Sequence, residues 1–208
     1  MAIVVIGGHS RNVGKTSVVA GLIAALPEMR WTAIKITQHG HGICSVDGAA
    51  CDCATGDHSW ALTEERDRGG KSDTSRFLLA GAARVYWVRT EQGRLAEALP
   101  ALRKVLAQAA NAIIESNSIM KFIRPELYLP VLDFATADFK PTALQFLDRA
   151  DALLLHEGTE TPAWDRVSLK LIAGKPQFRI RPPEYVTAEV ASFVRQIVFA
   201  APSPGIVR

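Results

Sequence analysis

Short apolar runs alternate along the chain with longer segments whose apolar residues recur at helical spacing. Residues 3–6 form a short run of branched apolar side chains, which is typical of a buried strand. In residues 15–26 the apolar positions lie three and four apart, as on one face of a helix. Strands that alternate with helices of about 10–15 residues favour βαβ units and a mostly parallel sheet with helices on both faces. The pattern therefore predicts an α/β fold.

The same alternation continues to the end of the chain. Further strands are predicted at residues 31–37, 84–89, 112–115, 126–133, 152–156 and 177–180. Further helices are predicted at residues 72–81, 94–109, 141–147 and 186–198. Ser72 or Asp73 is expected to cap the helix of residues 72–81, because both side chains can accept a hydrogen bond from the first helical turn.

Residues 38–71 interrupt this pattern. They are rich in glycine, carry every cysteine of the chain and show little periodicity. Loops of this length are usually functional or disordered. With 208 residues, the chain has the length of one large domain. We therefore expect a single domain over residues 1–200, interrupted by a Cys/His-rich insertion at 38–71 and followed by a loose tail at 201–208.

The segment Gly-Gly-His-Ser-Arg-Asn-Val-Gly-Lys-Thr-Ser, residues 7–17, follows the first strand and opens the first helix. Successive backbone N–H groups and a helix N-terminus form a concave cradle for phosphate oxygens, so this context predicts a phosphate-binding loop. Lys15 adds a positive charge for the β and γ phosphates, and Thr16 offers a hydroxyl to Mg²⁺. The predicted nucleotide-binding residues are Gly8, Asn12, Val13, Gly14, Lys15, Thr16 and Ser17.

The loop departs from the pattern G-x-x-x-x-G-K-[ST] at its first glycine. That glycine would fall at His9, and the nearest one, Gly8, leaves five intervening residues. This spacing resembles the loop of dethiobiotin synthetase, which implies an ATP-dependent ligase as an alternative function.

Four further charged residues are candidates for the same site. Glu115 ends a buried strand, where it could hold Mg²⁺ directly or through water. Lys15 and Glu115 are the two candidate catalytic residues. Asp73 could bind Mg²⁺ or cap its helix. Lys35 lies at the carboxyl edge where α/β sheets bind ligands, or is a solvated residue at a strand end. Arg11 could contact phosphate or reach across a dimer.

The base of the nucleotide is not specified by any pattern in the chain. An Asn-Lys-x-Asp run for guanine does not occur. Residues 174–177, Gly-Lys-Pro-Gln, are a candidate for base contacts, but an ordinary turn is the favoured interpretation. The choice between GTP and ATP therefore stays open.

Three blocks downstream of the loop carry a resemblance to a family. Residues 31–39 (WTAIKITQH), residues 70–76 followed by Ala-Gly-Ala at 80–82, and residues 111–116 (NAIIES) occur in this order. Together with the loop they resemble the molybdopterin-guanine dinucleotide biosynthesis protein B (MobB) family over roughly residues 1–135. The departures are His9, Ile36, Gln38 and the Cys-rich insertion. The resemblance implies a P-loop NTPase fold, Mg²⁺-dependent nucleotide chemistry in molybdenum-cofactor biosynthesis, a protein partner and a homodimer.

Three cysteines and a histidine lie within fifteen residues of one another, at Cys44, Cys51, Cys53 and His58. Thiolate and imidazole are ligands of zinc, and four of them complete a tetrahedral site. The spacing fits no standard zinc motif, and a metal-free loop with reduced thiols is the alternative. A nucleotide-gated metal carrier is accordingly a third function to consider.

Composition limits the classes of partner. A hydrophobic content of 48% and a charged content of 22% are typical of a globular protein. The net charge of +3 comes from scattered residues without a concentrated basic patch, so no nucleic-acid partner is expected. No segment approaches the ~20 apolar residues of a membrane span, and the N-terminus lacks the features of a secretory signal. We therefore expect no membrane association, a cytoplasmic location and no structural disulfides.

Overall fold

The computed structural model describes residues 1–39, 59–165 and 167–200. In these ranges the strands are β1 Ile3–Gly8, β2 Trp31–His39, β3 Trp60–Glu64, β4 Arg84–Glu91, β5 Asn111–Glu115, β6 Leu127–Leu132, β7 Leu153–His156 and β8 Gln177–Ile180. They form one sheet in the order β3-β4-β2-β5-β1-β6-β7-β8. The edge strand β3 runs antiparallel to β4, and the other pairs are parallel.

Helices cover both faces of the sheet, as the sequence predicts. Their bounds are α1 Lys15–Ala25, α2 Asp73–Leu79, α3 Leu95–Ala107, α4 Pro141–Leu144 and α5 Ala188–Ala200. Buried side chains of α1, α2 and α5 form a core against one face, and those of α3 contribute to a second core against the other. None of the helices in the described ranges has both the length and the apolar character that crossing a membrane would require.

Strand β1 places the predicted phosphate loop at the centre of the molecule. Val4 and Ile6 are fully buried in the core under α1, and Val5 is fully buried in the opposite core. A strand that is apolar on both faces is typical of the middle of a parallel sheet, which explains why this run lacks alternation. The loop between β1 and α1 is therefore held at both ends by buried elements.

Two parts of the predicted insertion at residues 38–71 belong to the sheet, and its residues 40–58 lie outside the described part of the chain. Strand β2 continues to His39, and β3 adds an edge strand that the sequence analysis missed. Trp60 and Leu62 pack against the α3 core. This alternation is a strand signal, but at five residues it is too short to stand out beside glycine-rich and charged neighbours.

The register of the central strands brings two polar residues side by side. Lys35 of β2 lies opposite Glu115 of β5, which in turn lies opposite Ile6 of β1. Beyond Lys35, β2 pairs only with β4, as far as His39 opposite Glu91. The ends of β2 and β4 therefore extend past β5 and form a wall beside the phosphate loop.

Candidate functional site

The loop between β1 and α1 has the backbone conformation of an anion cradle. Asn12 and Gly14 adopt positive φ angles of 56° and 90°. Lys15 begins α1, and no side chain caps the helix at Gly14. The first N–H groups of α1 are therefore left for a ligand, and the positive end of the helix dipole favours an anion there.

Two side chains from distant strands hold the loop in place. Asn117 accepts a hydrogen bond from the Gly8 N–H at 2.9 Å and donates one to the Gly8 carbonyl at 2.8 Å. His156 Nε2 lies 3.0 Å from the Val13 carbonyl oxygen. These contacts join residues more than a hundred positions apart, so local sequence patterns gave no sign of them.

His9 is a core residue and takes the place of the glycine that the common loop pattern would put there. Its side chain is fully buried, and its ring centroid lies 5.2 Å from those of Phe139 and Trp164. The two ring nitrogens lie 3.4 Å from the Val131 carbonyl oxygen and 3.3 Å from that of Thr136. Burial lowers the pKa of His9. The two carbonyl contacts act to raise it, but they offset the effect of burial only in part. The loop is thus anchored to β6 and to the segment that follows it.

This burial predicts that acid weakens the fold. When the pH falls below the ordinary pKa of 6.5, His9 takes up a proton in the unfolded chain. In the folded protein, burial disfavours this protonation. The free energy of unfolding should fall as the pH drops below about 6.5, by at most ~1.4 kcal/mol per pH unit from this group. Urea unfolding at about pH 7.5 and about pH 5.5 measures the effect. In the variant His9→Gln, the part of this pH dependence that comes from His9 should disappear. If the free energy of unfolding of the variant depends on pH as that of wild type does, the dependence comes from other groups.

Lys15, Thr16 and Glu115 meet at the N-terminus of α1. The Lys15 ammonium donates to the Ser10 carbonyl at 2.8 Å, and burial, reinforced by the charge of Lys140, lowers its pKa to about 8. The Thr16 hydroxyl donates to Glu115 Oε2 at 2.9 Å. Glu115 is only 6% exposed, so it is not a solvated residue at a strand end.

Lys35 and Asp73 complete this cluster. The Lys35 ammonium lies 2.8 Å from Glu115 Oε1 and 2.7 Å from Asp73 Oδ2. Burial alone would lower the pKa of Lys35, but the two carboxylates outweigh it and raise the pKa. Of the two roles open for Asp73, the cap belongs to Ser72, whose side chain accepts from the first turn of α2. Lys35 is therefore part of the cluster and not a solvated strand-end residue.

The cluster forms one wall of a cleft of about 760 Å³ at the carboxyl edge of the sheet. Five cations and two carboxylates are among the described residues that line it: Arg11, Lys15, Lys35, Arg76, Lys140, Asp73 and Glu115. Asn12, Gly14, Thr16 and Ser17 also line the cleft, whereas Gly8 and Val13 do not. The excess of positive charge favours an anionic ligand.

The far end of the loop is covered by an aromatic side chain. A Cβ added at Gly14 would lie 2.1 Å from Cε1 of Tyr185, which also lines the cleft. Tyr185 in turn packs edge-on against His156, with ring centroids 6.0 Å apart. This side of the cleft was not foreseen from the sequence.

The base-contact candidate at residues 174–177 is wrong. The Lys175 ammonium donates to the carbonyls of Asp148 and Ala150, each at 2.7 Å. This turn precedes β8 and so lies at the amino edge of the sheet, opposite the phosphate loop. The favoured interpretation, an ordinary turn, is the one the structure supports.

The donor set at the cluster fits Mg²⁺, which prefers hard oxygen ligands. Thr16, Glu115 and Asp73 supply one hydroxyl and two carboxylates, and all three lie within 3.4 Å of the Lys35 ammonium. The predicted zinc ligands Cys44, Cys51, Cys53 and His58 lie outside the described residues. Within residues 1–39, 59–165 and 167–200, no group of three or more His, Cys, Asp or Glu side chains is arranged to hold a metal.

Comparison with known proteins places the chain by its fold alone. No protein-family model and no curated protein matches the sequence. The hydrogenase maturation factor HypB from Archaeoglobus fulgidus has a similar structure, with a TM-score of 0.55 and 13% identity over 95% of this chain and 90% of that one. FlhF complexed with GMPPNP and Mg²⁺ has a TM-score of 0.50 and 16% identity over 94% of this chain and 73% of that one.

MobB from Bacillus subtilis is also among the similar structures, with a TM-score of 0.44 and 16% identity over 95% of this chain and 98% of that one. A likeness this low carries no argument about function, so the resemblance in the sequence blocks stays a prediction. HypB, FlhF and MobB are P-loop NTPases. With its mostly parallel sheet, flanking helices and phosphate loop, the chain has the α/β P-loop NTPase fold.

Proposed function

We propose that the protein binds a nucleoside triphosphate with Mg²⁺ in this cleft and cleaves or transfers its terminal phosphoryl group. The observation that carries the proposal is the convergence of Lys15, Thr16 and Glu115 on the uncapped N-terminus of α1. The positive cleft and the similarity to FlhF, whose structure contains GMPPNP and Mg²⁺, support it.

Each residue of the cluster has a role in this chemistry. The N–H groups at the start of α1 hold phosphate oxygens, and the Lys15 ammonium exchanges the Ser10 carbonyl for the β and γ phosphates. Thr16 and Glu115, with Asp73 beside them, are the ligands for Mg²⁺. When bound, Mg²⁺ neutralises charge that develops on the phosphoryl oxygens.

Glu115→Gln should separate the metal role from a structural one. The amide keeps the size of the side chain and can still bond Thr16, and Asp73 remains as the ion-pair partner of Lys35, so the melting temperature should change little. The loss of one charge should weaken Mg²⁺-dependent binding. Titration with an unhydrolysable triphosphate, with and without Mg²⁺, gives the comparison. A protein that melts much earlier but keeps its Mg²⁺ dependence would make Glu115 structural.

The physiological role that we propose is in molybdenum-cofactor biosynthesis, as a GTP- or ATP-using accessory protein. The order of the MobB-like blocks supports it, as do the contacts of Lys35, in one of these blocks, with Asp73 of another block and with Thr16 of the phosphate loop. We further propose a homodimer and a protein partner from the same pathway. Light scattering of the purified protein tests the dimer: a monomeric mass with and without nucleotide would contradict it.

A dethiobiotin-synthetase-like ligase is the second candidate. The five-residue spacing of the loop favours this activity. Lys35 and Glu115 also favour it, because both line the cleft and would face a carboxylated substrate bound there. ATP turnover that depends on diaminononanoate would establish this activity in place of the first.

We also propose that Cys44, Cys51, Cys53 and His58 bind one zinc ion. Their segment joins β2 to β3, and Gln38 near the end of β2 lines the cleft, so such a metal could respond to nucleotide. Elemental analysis of protein purified without added metal should find about one zinc per chain. Chelation should then expose the segment to protease and spare the sheet. Less than about 0.2 zinc per chain, with three freely reactive thiols, would rule the site out.

A further inference from the structure

One ammonium contacts all three of the proposed magnesium ligands. Lys35 Nζ lies 2.8 Å from Glu115 Oε1, 2.7 Å from Asp73 Oδ2 and 3.4 Å from Thr16 Oγ1. The exposed fractions of the Lys35 and Glu115 side chains are 13% and 7%, so water screens this pair only weakly. A cation of the protein itself therefore stands where the oxygen donors converge.

This arrangement is built by the fold and is not a chance surface contact. Lys35 and Glu115 are register partners in adjacent strands, and the backbone beside Lys35 is fixed by the fully buried Ile34. Asp73 opens α2, whose first turn is fixed by the capping box of Ser72. Three separate elements thus hold the ammonium between two carboxylates.

We propose that Lys35 occupies the metal position in the nucleotide-free protein and excludes free divalent cations until Mg²⁺ arrives with the triphosphate. This inference rests on the proposed function and adds an order of binding to it. A free divalent cation would have to take both carboxylates from Lys35 and leave its ammonium unpaired beside Lys15, Lys140 and Arg76, which line the same cleft.

The triphosphate removes this obstacle. Its oxygens give the displaced ammonium a new anionic partner within the cleft, while Thr16 and Glu115 become free to bind the metal. Metal and nucleotide therefore favour each other's binding, and the coupling is reciprocal in its free energy. Lys35 is the residue through which the two are coupled.

Mn²⁺, which binds the same oxygen ligands and is detected by electron paramagnetic resonance, provides the test without any turnover. In the absence of nucleotide, wild type should bind Mn²⁺ at this site at least about tenfold more weakly than Lys35→Met, which removes the charge and keeps most of the side chain. Lys35→Gln, which is neutral but can still donate hydrogen bonds, should also bind Mn²⁺ more tightly than wild type. Lys140→Met, which removes a cation of the same cleft, should change the Mn²⁺ affinity less than about threefold.

Two results would overturn the inference: equal Mn²⁺ affinity in wild type and Lys35→Met, or equal tightening in Lys140→Met. If neither Lys35 variant folds, wild type can still contradict the inference, because its Mn²⁺ affinity should rise at least about tenfold when an unhydrolysable triphosphate is added. No such rise, with the triphosphate bound, would contradict the inference and leave nucleotide binding intact. Failure of the triphosphate itself to bind would instead contradict the proposed function.

Discussion

Lys15→Ala should lower the affinity for an unhydrolysable nucleoside triphosphate by about 2–5 kcal/mol, or roughly 30- to 5,000-fold. The reason is that Lys15 is the first residue of α1 and its ammonium is already partly desolvated, with a pKa lowered by burial to about 8. The fold should not suffer, because the charged form of Lys15 is disfavoured by its own burial. Isothermal titration measures the affinity, and thermal unfolding checks the fold.

Lys104→Ala is the matched control for this variant. Lys104 is an exposed lysine of α3, on the opposite face of the sheet from α1, so its loss changes the net charge by the same amount without touching the loop. Its affinity for the triphosphate should equal that of wild type. Wild-type affinity in Lys15→Ala itself would overturn the assignment of the phosphate loop.

Gly14→Ala should damage both binding and stability. The residue has a φ of 90°, which costs an L-residue about 1–2 kcal/mol, and its new Cβ would lie 2.1 Å from Cε1 of Tyr185. Either Tyr185 or the loop must move, and overpacking of this kind adds about 1–3 kcal/mol. We expect an unfolding free energy lower by about 2–5 kcal/mol in total and no measurable triphosphate binding.

Gly93→Ala separates the two causes. Gly93 also has a φ of 90°, but a Cβ there would meet nothing within 4 Å. The unfolding free energy of Gly93→Ala should fall only by the cost of holding an L-residue at a positive φ, about 1–2 kcal/mol, and triphosphate binding should be unchanged. Equal losses of stability in Gly14→Ala and Gly93→Ala would show that a steric clash with Tyr185 does not contribute to the loss in Gly14→Ala.

The features that sequence could predict are those with a local signal. Strand β1 is a continuous apolar run because it is buried on both faces, and α1 shows apolar residues at helical spacing because it packs against the sheet on one side. The glycine-lysine-threonine sequence between them is recognisable because a phosphate loop requires these residue types at this spacing. Glu115 and Lys35 could be placed at the edge of the sheet because each lies near the end of a predicted strand. Their direct contact, however, depends on strand order, and only the structure supplies that order.

The features that sequence missed depend on contacts between distant parts of the chain. Asn117 and His156 bond the loop across 109 and 143 positions, and nothing in their own neighbourhoods distinguishes them from ordinary polar residues. Tyr185 reaches Gly14 only because the segment before α5 returns to the carboxyl edge of the sheet. Strand β3 escaped prediction for another reason: it is an edge strand whose two large apolar side chains, Trp60 and Leu62, are only partly buried, so its signal is weak.

The central claim is that this cleft binds a nucleoside triphosphate together with Mg²⁺, and a thermal shift measurement tests it most directly. Unfolding is followed with unhydrolysable analogues of ATP and of GTP, each with Mg²⁺ and with EDTA. A ligand at 100 times its dissociation constant stabilises the folded state by about 2.7 kcal/mol, enough to raise the melting temperature by several degrees. The account predicts such a rise with at least one analogue, only when Mg²⁺ is present. A melting temperature unmoved by either analogue at millimolar concentration would contradict it.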